Sequence, residues 1–212
     1  MTAAVDALVE GRSADPHALL GAHPARGGVR VRAYRPEAER VAVLRNGADP
    51  VPLRRTHPAG LFEGVVTGAQ LPLRYELEVA YPDGATYRLE DPYRFPPTLG
   101  ALDLHLAGEG RHEELYARLG AHVTEVDGVA GTAFAVWAPS ARAVSVVGDF
   151  NSWDGRLHPM RSMGSSGIWE VFLPGVAEGA RYKYEIRGQA GELRLKADPV
   201  AFAAELPPAT AS

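Results

Sequence analysis

Asp149 and Asp154 flank a tryptophan, Trp153, in the stretch VVGDFNSWDG over residues 146–155. Paired carboxylates are the machinery of glycoside chemistry, where two acids stand about 5 to 9.5 Å apart across the reacting bond. Here both acids lie among Gly, Asn and Ser, a setting in which a carboxylate bonds its own backbone and keeps an ordinary pKa. Turn formation is therefore the expected role of the pair. The seven histidines, at 17, 23, 57, 105, 112, 122 and 158, include no His-x-x-x-His pair, and His112-Glu113-Glu114 lacks the second histidine of a zinc helix. No metal site is expected. The chain has no cysteine, and Gly-x-Ser-x-Gly, a Gly-Lys-Ser/Thr phosphate loop and a dinucleotide fingerprint are missing from it. Thiolate chemistry, acyl transfer and nucleotide chemistry thus have no visible residues, and no cofactor is expected.

Trp153 is what turn chemistry leaves unexplained. Two roles are open to it. The indole can plug the end of a β-sandwich with its N–H bonded to a turn carbonyl. Alternatively it can lie exposed as a flat platform for the apolar C–H face of a sugar ring, on a loop of the kind that carries binding residues. Lys183 is a candidate partner, because it alternates with Tyr182 and Tyr184 and so faces away from whatever those rings bury. Trp137 and Trp169 lie within strand-like runs and are expected in the core.

The elements that would position these residues come in two copies. Arg30 to Val41 (RVRAYRPEAERV) aligns with Ala133 to Val144 (AFAVWAPSARAV), so that Tyr34 falls on Trp137 and Pro36 on Pro139. Farther on, Gly60-Leu61-Phe62-Glu63 answers Gly167-Ile168-Trp169-Glu170, Arg74-Tyr75-Glu76-Leu77 answers Lys183-Tyr184-Glu185-Ile186, and Asp91-Pro92 answers Asp198-Pro199. Leu-Gly-Ala-His occurs at both 20–23 and 119–122. Within each copy, apolar and polar residues alternate with the period of strands, and Asn46-Gly47, Pro82-Asp83-Gly84, Ser165-Ser166-Gly167 and Pro174-Gly175 separate them. Short strands with a turn every 8 to 12 residues or so predict an all-β chain of two tandem immunoglobulin-like β-sandwiches of about 100 residues each. Short helices belong to the lead-in and the linker: one over His17 to Leu20, capped by Asp15 and stopped by Gly21, and one over Glu109 to Leu119, stopped by Gly120. The expected domains are residues 1–105, a helical linker over 106–127, and residues 128–212.

Bulk composition narrows the partners. A net charge of −4, with 46% hydrophobic and 23% charged residues, gives no sustained basic surface for nucleic acid. The start, MTAAVDALVEGRS, has no apolar run behind a basic one, and no stretch approaches 18 apolar residues, so no membrane partner is expected and the reading is cytoplasmic.

The second copy, FAVWAPSARAVSVVGDFNSWDG followed by HPM, SGIWEVFLPG, YKYEI and LKADP, resembles the carbohydrate-binding modules of family 48 found in bacterial 1,4-alpha-glucan branching enzymes. The first copy, with ADPHALLGAH, RAYRP, LEDPYRFPPTLG and EGRHEELYARLGAH, is similar to the extra N-terminal domain of the longer branching enzymes. The resemblance implies glycogen metabolism and a parent enzyme of glycoside hydrolase family 13, which transfers alpha-1,4-glucan segments to alpha-1,6 linkages in a (β/α)₈ barrel. A barrel needs about 250 residues. The stretch ELPPATAS stands where the family sequence leads into it, so the chain is expected to be inactive alone. Its implied partners are an alpha-glucan and the catalytic barrel. Of the family's sugar-binding positions, the resemblance carries over Trp153, Lys183 and Asn151. The second aromatic platform before the final Asp-Pro is replaced by Leu193, Leu195 and Lys196, and the first copy's loop shrinks to Asn46-Gly47-Ala48-Asp49. Two other readings stay open: a free-standing glycogen-binding or regulatory module, and a purely structural pair of sandwiches.

Overall fold

A computed structural model describes residues 2–212. The chain divides into two compact units, residues 17–94 and residues 95–212 together with the segment that ends at Pro16. Both are β-structures, as the alternation requires.

The first unit holds β1 (Gly21–Ala25), β2 (Gly28–Tyr34), β3 (Arg40–Arg45), β4 (Ala48–His57), β5 (Leu61–Thr67), β6 (Glu76–Ala80) and β7 (Thr86–Glu90). They form one antiparallel sheet in the order β1-β2-β5-β4-β3-β6-β7. Strand β4 curls it, pairing with β3 over residues 48–53 and with β5 over residues 54–57. Alternate residues Val29, Val31, Val41, Val43, Leu77 and Val79 then meet Phe62 and Val66 in one core.

The second unit repeats the plan with β8 (Gly120–Val126), β9 (Val129–Trp137), β10 (Ala141–Gly148), β11 (Arg161–Ser162), β12 (Ile168–Pro174), β13 (Tyr182–Gly188) and β14 (Leu193–Lys196). Here the strands separate into two sheets, β11-β12-β9-β8 and β10-β13-β14. Phe134, Val136, Val144, Val146, Trp169, Val171, Tyr182 and Tyr184 fill the core. The repeat extends to register and hydrogen bonds. Tyr34 pairs with Leu61 as Trp137 pairs with Ile168. His23 Nε2 lies 2.8 Å from the Leu20 carbonyl, and His122 Nε2 lies 2.9 Å from that of Leu119. Gly21 and Gly120, at φ +85° and +97°, occupy the left-handed region that the helix-stop reading of this motif requires. At the Asp-Pro pairs, buried Asp91 accepts from the Tyr75 hydroxyl at 2.6 Å and the Tyr93 N–H at 3.0 Å. Asp198 accepts from the Tyr182 hydroxyl at 2.5 Å and the Val200 N–H at 2.9 Å. Because Val41 pairs with Val79 and Val144 with Ile186, Tyr75 answers Tyr182 in the fold, not Tyr184 as the aligned sequences predict.

Three further expectations are corrected. The linker helix lies earlier than expected, at Ala101–Gly108 (α2); the 109–119 stretch keeps only a 3₁₀ turn at Leu115–Ala117, and residues 120–126 form β8. Leu115 and Leu119 nevertheless pack, with Leu104 and Ala107 of α2, over Leu99, Ala135 and Ile168, so their apolar spacing is satisfied by a turn in place of a helix. The His17–Leu20 helix shrinks to a 3₁₀ turn at Pro16–Ala18, while an unexpected helix, Thr2–Val9 (α1), opens the described chain. Behind it, the Gly11 carbonyl accepts from Arg187 Nε at 3.0 Å and the Ala14 carbonyl from the Ser162 N–H at 2.7 Å, attaching this segment to the second unit. Finally, Trp137 is 60% exposed. Val136 points into the core, so strand parity sends its neighbour to the opposite face. Trp169 is buried as expected, its indole donating to the Ala138 carbonyl at 3.1 Å. Among the described residues, no helix is long and apolar enough to cross a membrane.

Candidate functional site

In the first unit, β3 and β4 are joined by the tight Asn46-Gly47 turn. The equivalent hairpin of the second unit is opened by residues 149–160, and the returning chain meets β10 again over 158–160, where the His158 carbonyl accepts the Val146 N–H at 3.2 Å, Pro159 is bridged to Ser145, and Met160 N–H donates to the Val144 carbonyl at 2.8 Å. The tryptophan loop is this excursion. It begins at Gly148, where a Cβ would stand 2.3 Å from the Arg181 carbonyl, so only glycine lets the two strands approach this closely. A 3₁₀ turn, Asp149–Asn151, follows. Ser152 and Trp153 are then both left-handed, at φ +53° and +61°, and the turn closes with Trp153 N–H on the Gly148 carbonyl and Asp154 N–H on that of Asn151, each at 3.0 Å. Two successive non-glycine residues there carry a backbone cost of about 1–3 kcal/mol each, which the surrounding bonds must offset.

Asn151 supplies several of those bonds. It is 4% exposed; its carbonyl accepts from the Gly148 N–H at 2.9 Å, and its amide donates to the Val146 carbonyl at 2.9 Å and to His158 Nδ1 at 3.0 Å. The structure turns Asn151 inward, as scaffold for the loop. Trp153 faces the other way, 39% exposed, with its indole N–H donated to Asp149 Oδ1 at 3.1 Å; the expected partner, a turn carbonyl, is replaced by a carboxylate. Arg181 Nε in turn donates to Asp149 Oδ2 at 2.9 Å, and this bond, reinforced by the indole, holds the Asp149 carboxyl below its ordinary range. Lys183, between buried Tyr182 and Tyr184, faces outward as parity predicts, and its ammonium donates to Thr210 Oγ1 at 2.5 Å.

The other acid of the pair is held separately. Burial pulls Asp154 upward, but Arg156 more than offsets this through its N–H at 2.9 Å and its guanidinium at 2.7 Å, so Asp154 also lies below its usual value. Both acids are thus held ionised, each with its own arginine. Neither is raised toward the proton-donating range that a glycosidase acid needs. Arg181, Glu205 and Thr210 were not visible as site residues in the sequence; the signal available was parity, since Arg181 and Lys183 are two apart and share a face.

Tandem β-sandwiches, the second presenting a tethered tryptophan on an inserted loop, define a protein of the carbohydrate-binding-module class. Residues 118–201 match the model of carbohydrate-binding module 48 (isoamylase N-terminal domain), and residues 1–93 match that of the alpha-1,4-glucan branching enzyme GlgB, N-terminal domain. The chain is 57% identical over 207 residues to a 1,4-alpha-glucan branching enzyme of Myxococcus xanthus, covering 97% of this chain and 28% of that one. To the enzyme of Thermobifida fusca it is 56% identical over 216 residues, covering 100% and 29%. The chain therefore belongs to the 1,4-alpha-glucan branching enzyme family as its N-terminal region, and it spans under a third of the length of these curated relatives. Among solved structures, the pullulanase of Anoxybacillus sp. LM18-11 aligns over 87% of this chain and 26% of its own, at 15% identity and a TM-score of 0.34.

Proposed function

We propose that this chain is the non-catalytic, glucan-engaging and scaffolding region of a cytoplasmic 1,4-alpha-glucan branching enzyme of glycogen biosynthesis, with an alpha-glucan and the enzyme's catalytic barrel as its partners. The observation that carries the glucan reading is Trp153. An aromatic ring held at 39% exposure, on a strained loop that opens a hairpin which the first unit keeps closed, is where a sugar ring can stack. Lys183 and the Asp149–Arg181 pair supply polar groups around the same end of β13. Asn151 acts here through the loop it holds. Leu193 and Leu195, 50% and 56% exposed on β14, occupy the neighbourhood of the missing second aromatic, so a single ring carries the stacking and binding is weak. The test is retardation of the chain in a native gel containing glycogen: weak but measurable retardation is expected, together with no change in the iodine stain of amylose. Mobility unaffected by glycogen would favour the purely structural pair of sandwiches, and any branching would refute the non-catalytic reading.

Acid should act on this site late. The Asp149 carboxyl is depressed, so its contribution to holding the indole is complete above the ordinary carboxylate value of 3.8 and is lost only as pH falls through the lower, folded-state value. The indole N–H resonance of Trp153 is expected to stay constant from neutral pH down through the usual carboxylate range and to move below it. Asp149→Asn should remove that movement. A midpoint above the ordinary carboxylate range would contradict the assignment.

A further inference from the structure

We infer that Arg181 and Glu205 are positioning residues for glucan binding, and that the segment 205–212 sets the two sugar-contact side chains, Trp153 and Lys183, in one register. The inference rests on the glucan reading of Trp153. From the ring outward the links are continuous. The Trp153 indole donates to Asp149 Oδ1 at 3.1 Å; Arg181 grips both Asp149 oxygens, at 2.9 Å through Nε and 3.4 Å through Nη2; and Arg181 Nη1 donates to Glu205 Oε1 at 3.0 Å. The second Glu205 oxygen accepts the Ala211 N–H at 3.0 Å, and Glu205 N–H donates to the Ala211 carbonyl at 2.9 Å, so residues 205–211 close on themselves.

The same segment reaches the other contact residue. Thr210 Oγ1 accepts the Lys183 ammonium at 2.5 Å, while Ser212 exchanges backbone bonds with Tyr182 at 3.0 and 3.1 Å and accepts the Asp198 N–H on its hydroxyl at 2.8 Å. One short stretch therefore bonds to β13 at Tyr182 and at Lys183 and, through Arg181, to the loop that carries Trp153.

Physical reasons make the relay necessary. A left-handed backbone at Trp153 fixes where the side chain starts but not how the ring is turned. The polar contact that fixes the ring is its bond to Asp149. That carboxylate is itself half-exposed and would rotate freely unless the arginine fork held it. Arg181 is exposed in its turn, and a long exposed side chain bridging two carboxylates loses less freedom per bond than one anchored once. Glu205 is the second anchor. Its own carboxyl is held below the ordinary value, first by the Ala211 N–H and then by Arg181, so it is charged wherever Arg181 needs it.

The test uses the 212-residue chain, ¹⁵N-labelled, with maltoheptaose as the probe. Glu205→Ala and Arg181→Ala are expected to move the Trp153 indole N–H resonance upfield, toward that of a free indole, and to weaken maltoheptaose binding roughly 2- to 5-fold, the range of an exposed ion pair. Arg181→Lys should fall between. The Trp169 indole, bonded to the Ala138 carbonyl in the core, reports that each variant is folded and should not move. An unmoved Trp153 resonance in both alanine variants overturns the relay. So does a moved resonance with unchanged affinity, since the ring's orientation would then not matter for binding. Failure of the unsubstituted chain to bind maltoheptaose would instead sink the glucan reading, and the resonance would still decide whether residues 205–212 position the ring.

Discussion

Trp153→Ala will abolish the retardation of the chain by glycogen in a native gel, while Trp137→Ala, at the more exposed indole, will leave it intact. Trp137 is 60% exposed and Trp153 only 39%, so a rule that ranked tryptophans by exposure would choose the wrong one. Stacking a sugar takes an open ring face together with polar groups that reach its hydroxyls. Trp153 has Asp149, Arg181 and Lys183 around its end of the sheet, whereas Trp137 ends β9 beside Gly167 and Pro139. One aromatic stack contributes on the order of 1–3 kcal/mol if nucleobase stacking is a fair guide, or about 5- to 150-fold in affinity. Because no second aromatic precedes Asp198-Pro199, nothing compensates for its loss, and weak binding drops below detection. Trp153→Phe should keep part of the retardation, since it preserves a ring and loses only the indole bond to Asp149. Equal mobility of the unsubstituted chain and Trp153→Ala would show that the ring contributes nothing and leave the structural reading of the two sandwiches standing.

The repeat was the most legible feature of the sequence. Aligning Tyr34 with Trp137 and Leu61 with Ile168 placed four residues that turn out to pair in the same register in both units, Tyr34 with Leu61 and Trp137 with Ile168. Alternation also placed Lys183 correctly, because a period of two survives any tertiary context that keeps the strand. It should have placed Trp137 as well: Phe134 and Val136 claim the core face, and the next residue cannot share it. The linker departs from its expected helix for a different reason. Leu115 and Leu119 are spaced as a helix would space them, but two apolar residues on a short segment specify burial without specifying the backbone that achieves it. The site was half legible. Trp153 stood out because a large apolar ring in a turn is anomalous, whereas Asn151 read as one turn residue among several and its inward orientation depended on His158 and Val146 arriving from elsewhere. Glu205 and Thr210 carry no local signal at all. Their partners, Arg181 and Lys183, are 24 and 27 residues away in sequence, and only the fold joins them.

Glu170→Ala will destabilise the chain by about 3–5 kcal/mol in urea or thermal unfolding, the range for breaking a buried ion pair from one side. Glu170 is completely buried on β12 and accepts from three donors: Arg161 Nε, the Thr98 N–H at 2.8 Å and the Thr98 hydroxyl at 2.5 Å. Arg161 is buried too, and it already has an orphan, Nη2, with no partner among the described residues; its Nη1 reaches only the Phe95 carbonyl, at 3.4 Å. Removing the carboxylate leaves a guanidinium with no counter-charge in a place water does not reach, and it also strips Thr98 of both its bonds. The equivalent position in the first unit shows how much burial matters. Glu63 meets Arg32 at 2.5 Å and Arg30 at 3.3 Å; Arg32 is as buried as Arg161, but a quarter of the Glu63 side chain is exposed, so water can enter where the carboxylate is removed and Glu63→Ala should cost less than Glu170→Ala. The double substitution Arg161→Met, Glu170→Leu is the informative control. It removes both charges while keeping apolar bulk, and it should recover most of the stability lost in Glu170→Ala, because the loss comes from the stranded arginine more than from any net strength of the pair. If the double variant is as unstable as Glu170→Ala alone, the bonds to Thr98 carry the energy, and Glu170 matters as the clamp that holds residues 95–99 against the outer face of β12.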